Sequence, residues 1–323
     1  MTAHQTQRPG SGPWSAEPLP DQSGKLALVT GANGGIGRVI VRELARAGAR
    51  LVLACRSAER GLAALSRLRE EVPGSQAELR MLDLASLASI REFAATWDHD
   101  RLDLLVNNAG VVMVRRGRTV DGFETHMGVN HFGTFALTGL MLAPLLKSDE
   151  PRVVTVASEA QLAARLDLDD LDSARRYSSV RAYGRSKKAN LYFALELHRR
   201  ASAAGVPLRS MVVAPGMTDS GVLTKETDTA GGMSKAAARL VSRLMAQPVD
   251  KGAWTTLYAA TEPGLPGGSY VTLNGFLQMR GDRPVRRDGY RAANDEAIAR
   301  RLWGISVERT GVTFDALNGV GRS

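Results

Sequence analysis

Short, almost uninterrupted aliphatic runs alternate along the chain with longer stretches whose apolar residues return every third or fourth position. The runs predict strands at Lys25–Thr30, Arg50–Cys55, Glu78–Leu82, Leu102–Val106, Arg152–Ala157, Leu208–Val213 and Tyr270–Leu273. The longer period predicts helices at Ile36–Ala47, Glu59–Glu71, Leu87–Trp97, Phe123–Leu146, Tyr183–Ala204, Lys251–Ala260 and Asp295–Trp303. Gly48 and Pro73 stop the first two of these helices. Strands apolar on both sides belong to a parallel sheet covered on both faces. Right-handed crossovers then wind the chain around it twice. The expected fold class is therefore α/β, a doubly wound parallel sheet of about seven strands with helices on both faces, in a single domain. Residues 1–24, rich in Pro, Gly, Ser and Gln, read as a flexible lead-in. Residues 25–275 form the domain, and residues 276–323 a C-terminal extension.

Composition narrows the function classes. The formal charge is +9, from 42 Lys and Arg against 33 Asp and Glu. The basic residues are interleaved with acids and form no long run, which is the pattern of a solvated surface. With no nucleic-acid motif present, nucleic acid is not an expected partner. A single cysteine, Cys55, rules out an internal disulfide. No stretch approaches the ~18 apolar residues of a membrane span, and the N-terminus has no apolar signal core. These features lead to an expectation of a cytoplasmic protein. The histidines (His4, His99, His126, His131 and His198) lack metal-ligand spacing, so no metal is expected.

The first candidate chemistry follows the first strand, at Thr30-Gly31-Ala32-Asn33-Gly34-Gly35-Ile36-Gly37. Gly31 permits a tight turn off the strand, Gly35 lets backbone N–H groups approach a pyrophosphate, and Gly37 allows close helix–strand packing. The helix N-terminus adds free donors and partial positive charge. Arg56 follows the second strand, where an acid would select a free ribose 2′-hydroxyl. A guanidinium there pairs with a 2′-phosphate, which points to NADP(H). Arg38 offers either a second phosphate contact or an exposed helix cation. Asp83-Leu84 follows the third strand, and Asp83 reads equally as an adenine contact or a helix cap.

The second candidate is Tyr183-Gly-Arg-Ser-Lys187, in which Tyr183 and Lys187 share one helix face. A lysine ammonium beside a phenol favours phenolate, and a tuned tyrosine can exchange a proton with a carbonyl being reduced. Tyr177, whose neighbour four residues on is Arg181, serves as the internal control. Ser158 ends the fifth strand and Asn107-Asn108-Ala109-Gly110 the fourth, both at the carboxyl edge where open α/β sheets bind ligands.

Together TGANGGIG (30–37), Asp83-Leu84, NNAG (107–110), Asn130, Ser158, YGRSK (183–187) and Pro215-Gly216 resemble the short-chain dehydrogenase/reductase family over nearly the whole length. LACR (53–56), DGFE (121–124), VNHFGTF (129–135) and RLWGIS (301–306) resemble its retinol-dehydrogenase-like branch. The resemblance implies a Rossmann fold and an NADP(H)-dependent oxidoreductase. Its substrate would be a small hydrophobic ketone or aldehyde, or a secondary alcohol. It also implies a catalytic tetrad: Tyr183 as proton donor, Ser158 holding the carbonyl oxygen, Lys187 on the nicotinamide ribose, and Asn130 holding a water. Gly31, Asn33, Gly35, Ile36, Gly37, Arg56, Asp83, Leu84, Asn108, Tyr183, Lys187, Pro215, Gly216 and Thr218 are the implied cofactor contacts.

Ala157, Ala214, Ser220 and Lys188 depart from the family's usual residues. The alternative function is a non-catalytic NADP(H)-binding regulatory protein. Ser158 and Tyr183 lie 25 positions apart, a longer gap than is common in the family. The extra segment, around Ala163–Ser179, is expected near the substrate mouth, and it leaves homo-oligomerisation open. In the tail, Phe276, Leu277, Met279 and Tyr290 read as substrate contacts or as plain packing. Arg280, Arg283, Arg286 and Arg287 read as a rim for an anionic substrate or as solvated arginines.

Overall fold

The computed structural model describes residues 18–216, 247–275, 281–287 and 295–317. The chain begins β1 (Leu26–Thr30), α1 (Gly35–Arg46), β2 (Arg50–Cys55), α2 (Ala58–Glu71), β3 (Ala77–Met81), α3 (Leu87–Ala95) and β4 (Leu104–Asn107). After a loop come a π-helical turn (Met127–Phe132), α4 (Gly133–Leu140), α5 (Leu142–Leu145) and β5 (Arg152–Val156). A short 3-10 turn (Glu159–Gln161) precedes α6 (Ser179–Ala203), β6 (Arg209–Val213), α7 (Val249–Thr261), β7 (Tyr270–Leu273), β8 (Pro284–Arg287) and α8 (Glu296–Thr310).

The strands form one sheet in the order β3-β2-β1-β4-β5-β6-β7-β8. The first seven are parallel and β8 is antiparallel to β7, pairing Leu273 with Pro284 and Tyr270 with Arg287. Successive side chains of a strand point to opposite faces, and β1 shows why both faces must be covered. Ala27 and Val29 pack with Ile40, Leu44 and Leu257 of α1 and α7. Leu26 and Leu28 pack with Leu105, Phe135, Phe193 and Trp303 on the other side.

Three expectations are corrected. The sheet has eight strands, and it continues past residue 275 into the segment read as an extension. The predicted helix Phe123–Leu146 is broken into the π-helical turn, α4 and α5. The Tyr183 helix starts earlier, at Ser179, so Tyr183 sits in its second turn. Of the four arginines read as a rim or as solvated, Arg283 and Arg286 are exposed. Arg287 donates from Nε to Thr272 Oγ1 at 2.9 Å and from Nη2 to the Leu273 carbonyl at 3.1 Å, so it ties β8 to β7. Arg280, Phe276, Leu277, Met279, Tyr290, Thr218 and Ser220 lie outside the described residues, as does most of the lead-in. Among the described residues, no helix is long and apolar enough to cross a membrane.

Helix α8 returns across α6 and α4. Trp303 stacks on Phe193 with centroids 5.9 Å apart and meets Phe135 and Phe314 at 5.1 and 4.6 Å. His131, in the π-helical turn, shares a hydrogen bond of 2.8 Å with Ser306 Oγ of α8. Burial drives its imidazole down to about 3 from an ordinary 6.5. The unfolded chain therefore takes up a proton that the folded one refuses. The stability this supplies is intact above 6.5 and drains away as pH falls toward 3. The expected loss is about 2 kcal/mol on going from about pH 7.5 to about pH 5. Urea unfolding across that range measures it, and a His131→Gln variant with an unchanged pH slope would show that the loss arises elsewhere.

Candidate active site

Six consecutive parallel strands end at one edge of the sheet, and the candidate residues follow those ends: Gly31 after β1, Arg56 after β2, Asp83 after β3, Asn108 after β4, Ser158 after β5 and Pro215 after β6. A doubly wound sheet binds ligands at this edge.

The glycine cradle is built for close approach. Gly31 holds a left-handed backbone (φ 66°). At Gly37 a side-chain carbon would come within 2.3 Å of the Gly31 carbonyl oxygen. The space therefore exists only for glycine, and α1 packs directly on the strand end. No side chain caps the N-terminus of α1 at Gly34, which leaves the first-turn N–H groups for an anion. The loop residues Asn33, Gly35 and Ile36 lie here, with Gly35 also left-handed (φ 51°). The cradle fits the pyrophosphate of a dinucleotide.

Residues behind the cradle hold its shape. Asn108 donates from Nδ2 to the Thr30 carbonyl at 2.9 Å, while Thr30 Oγ1 accepts the amides of Asn108 and Ala109 at 3.0 and 2.9 Å. Asn108 thus braces β1 against β4. The buried Cys55 thiol takes backbone N–H bonds from Ala32 and Asn33, and burial raises its pKa.

Arg38 is paired with Glu71 at 3.0 Å, which favours the surface reading of that arginine. Arg56 is exposed at the end of β2. Arg60, on the first turn of α2, carries a second guanidinium to the same side. Its Nη2 would stand 3.9 Å from a side-chain carbon at Gly34. Arg60 lies four residues beyond Arg56, past the strand end that marks the ribose side in sequence. Asp83 Oδ1 accepts the Ala85 amide at 2.9 Å and so shapes the turn, while Ser86 caps α3. Leu84 is buried beside Gly133.

Asn130 lies in the π-helical turn, a feature frequent at functional sites. Its Oδ1 accepts the Val111 amide at 2.8 Å, and its Nδ2 donates to the Val111 carbonyl at 3.0 Å and to Ser186 Oγ at 2.9 Å. Both amide hydrogens are engaged by protein groups. The side chain therefore clamps the loop after β4. Asn130 and Lys187 converge on Gly110, where a side-chain carbon would come 2.9 Å from Asn130 Oδ1 and 3.4 Å from Lys187 Nζ.

Tyr183 and Lys187 sit one turn apart on α6, both buried. Lys187 Nζ donates to the Val156 carbonyl at 2.8 Å, and burial lowers it to about 8. Tyr183 shares a hydrogen bond with Ser158. Burial pushes its phenol up to about 12, the Ser158 bond works the other way, and the Glu159 charge raises it further. In the bare protein, then, burial outweighs the lysine effect expected from the Tyr-x-x-x-Lys spacing. The 3-10 turn reaches Tyr183 because α6 carries glycine where it crosses. A side-chain carbon at Gly184 would meet the Ala160 carbonyl at 2.9 Å. Lys188 Nζ, on another face of the helix, holds the segment just after that turn through the Ala164 carbonyl at 2.6 Å.

Two further groups were not singled out from the sequence. Glu159 is buried and accepts the Gly216 amide on Oε1 at 2.9 Å. His126 is fully buried with its ring edge-on to Tyr183, centroids 6.3 Å apart. It accepts the Val114 amide on Nε2 at 3.2 Å, so its proton sits on Nδ1 and goes to Glu124 Oε1 at 2.8 Å. Tyr177, the intended control, donates to the Val114 carbonyl at 3.1 Å and so helps fix the loop beside the site. Tyr177 ends the long segment between Ser158 and Tyr183, which is anchored by Leu166 and Leu171 packed against Phe123, Phe132 and Leu302.

Comparison with known proteins places this geometry. Residues 25–231 match the family model described as short chain dehydrogenase. A polyprenol dehydrogenase of Mus musculus is 39% identical over 310 residues, covering 94% of this chain and 88% of its own. Retinol dehydrogenase 12 of Homo sapiens is 38% identical over 296 residues, covering 90% and 88%. A solved structure of an uncharacterised protein from Mycobacterium paratuberculosis has a TM-score of 0.77 at 39% identity, covering 94% of this chain and 99% of its own. The NADP active-site complex of RhlG from Pseudomonas aeruginosa has a TM-score of 0.63 at 26% identity, covering 81% and 99%. The chain belongs to the short-chain dehydrogenase family of oxidoreductases, in its retinol-dehydrogenase-like branch.

Proposed function

We propose that the protein is an NADP(H)-dependent oxidoreductase that interconverts a hydrophobic ketone or aldehyde and the corresponding alcohol, with Tyr183 as the proton-transfer group. The observation that carries this reading is the hydrogen-bonded pair of Ser158 and Tyr183, one helical turn from Lys187, at the same sheet edge as the glycine cradle. When bound, the nicotinamide supplies or takes up the hydride. Ser158 holds the carbonyl oxygen beside Tyr183. In reduction the Tyr183 hydroxyl gives its proton to that oxygen, and in oxidation the phenolate takes it back. Lys187 would hold the nicotinamide ribose and its charge favours the phenolate. Asn130 fixes the loop that closes the pocket on the β4 side. The polyprenol and retinol dehydrogenases among its relatives favour a long, apolar substrate for this chain too. An absorbance assay of nicotinamide with a panel of apolar aldehydes, ketones and alcohols tests the reading, and no turnover with any of them would count against it.

Arg56 and Arg60 are the two guanidinium groups on the ribose side of the cradle, and they would hold the 2′-phosphate. Arg56→Asp is expected to weaken NADPH binding by about ten- to a hundredfold, the scale of one charge-assisted contact, and to favour NADH. Arg60→Gln should weaken it in the same direction by less. Calorimetry measures both. Wild-type protein that binds NADH as tightly as NADPH would remove the NADP assignment and leave the fold and the proton-transfer group untouched.

A further inference from the structure

Glu159 is a carboxyl group that the chemistry above leaves unused. It follows Ser158 directly, is 7% exposed, and opens the 3-10 turn that lies on α6. Its Oε1 accepts the Gly216 amide at 2.9 Å, which links the turn after β5 to the Pro215-Gly216 turn after β6. Among the described residues no cation is paired with it. A buried carboxylate without a cation beside it is costly, and such groups gather where their charge performs a task.

The turn it opens lies against α6 beside Tyr183, where a side-chain carbon at Gly184 would come 2.9 Å from the Ala160 carbonyl, and a carboxylate there raises the Tyr183 phenol. The ionisable groups facing this pocket can be named element by element. From α6 come Tyr183 and Lys187, the latter held on the Val156 carbonyl. From the segment before the π-helical turn comes His126, with Glu124 behind it. From the 3-10 turn comes Glu159. The charges of Lys187 and Glu159 have opposite sign. Lysine favours the phenolate and glutamate opposes it.

Resting on the proton-transfer reading of Tyr183, we propose that Glu159 biases the enzyme toward carbonyl reduction by adding its charge to the burial that keeps the Tyr183 phenol protonated. Reduction needs that form. Hydride goes to the carbonyl carbon, the Tyr183 proton goes to the oxygen, and solvent returns a proton to the phenolate. Alcohol oxidation runs the same exchange backwards and must start from phenolate, the state a neighbouring carboxylate disfavours. Burial raises the Glu159 carboxyl to about 7. It is therefore neutral below that value and charged above it, and the bias strengthens as the solution becomes alkaline.

The substitution Glu159→Gln keeps an oxygen for the Gly216 amide and removes the charge. Glu159→Leu removes both. Two readouts are needed: the pH profiles of kcat in each direction with saturating cofactor, and the phenolate absorbance of the cofactor-free protein. The absorbance is taken as a difference against the same protein carrying Tyr183→Phe. With Glu159→Gln, the alkaline rise of oxidation and the alkaline fall of reduction should both move down by about one pH unit, and the phenolate titration should move with them. NADPH affinity should stay within about twofold of wild type. Glu159→Leu should show the same titration shift with weaker NADPH binding added. A Glu159→Gln titration that superimposes on wild type overturns the proposal, whatever happens to activity. Full activity in Tyr183→Phe would instead remove the underlying proton-transfer reading, and the absorbance titration would still report whether Glu159 acts on that phenol.

Discussion

Tyr183→Phe is expected to lower turnover by ~10²–10⁴ while NADPH still binds, the range over which a positioned acid or base normally contributes. The substitution removes one oxygen from a ring that stays buried between α6, the 3-10 turn and His126. Ser158 loses its partner but keeps the Ala160 amide, which it accepts at 3.3 Å. Folding should thus be nearly unaffected, and the loss should fall on kcat. Tyr177→Phe provides the contrast. It gives up the bond to the Val114 carbonyl and a long contact with His126 Nδ1 at 3.4 Å but no proton-transfer group, so it should move activity only slightly. Steady-state kinetics with calorimetric binding of NADPH separates the cases, and wild-type turnover in the Tyr183 variant would sink the mechanism.

The second large effect is on stability. Trp303→Ala should cost about 3–5 kcal/mol, the usual scale for emptying a buried indole site. Trp303 is 5% exposed and touches Phe135, Phe193 and Phe314, with the Arg200 guanidinium 4.5 Å over its ring. Those rings belong to the core on one face of the sheet, so α8 closes that core and is part of it. A melting temperature lower by roughly ten degrees is expected. Activity at low temperature should persist, because Trp303 lies among these core rings and not with the groups around Tyr183. A thermal melt that shifts by only a degree or two would show that α8 is peripheral.

The particular elements explain what could be read from sequence. The parallel strands were legible because burial on both faces leaves continuous aliphatic runs, and β1 and β2 end within a residue of where the pattern placed them. β8 was not, because Pro284-Val285-Arg286-Arg287 is an antiparallel edge strand that buries little beyond its first residue and has no run to detect. The π-helical turn was hidden for another reason. The apolar period through Phe123–Leu146 looks continuous, and the break reflects Asn130 clamping Val111 across 19 residues of chain. Within the site, Tyr183 and Lys187 could be paired because helical spacing is local. Glu159 could not, since its burial depends on Gly216, 57 positions away. The same holds for His126, whose place beside Tyr183 arises only when α6 packs against the loop after β4.

The strand order has one more consequence. A sheet of this width has two outer edges, each with unused backbone donors and acceptors open to pairing with another chain. Both are defended. On one side β3 carries Glu78 and Arg80, paired with each other, and Arg80 is also bound to Asp98. On the other side β8 is four residues long, begins with a proline that has no N–H to offer, and ends in two arginines. A second copy approaching either edge would meet fixed charge, and at β8 it would meet like charge along a ladder with a missing rung. The short strand that the hydrophobic pattern failed to announce is therefore a poor template for a further strand.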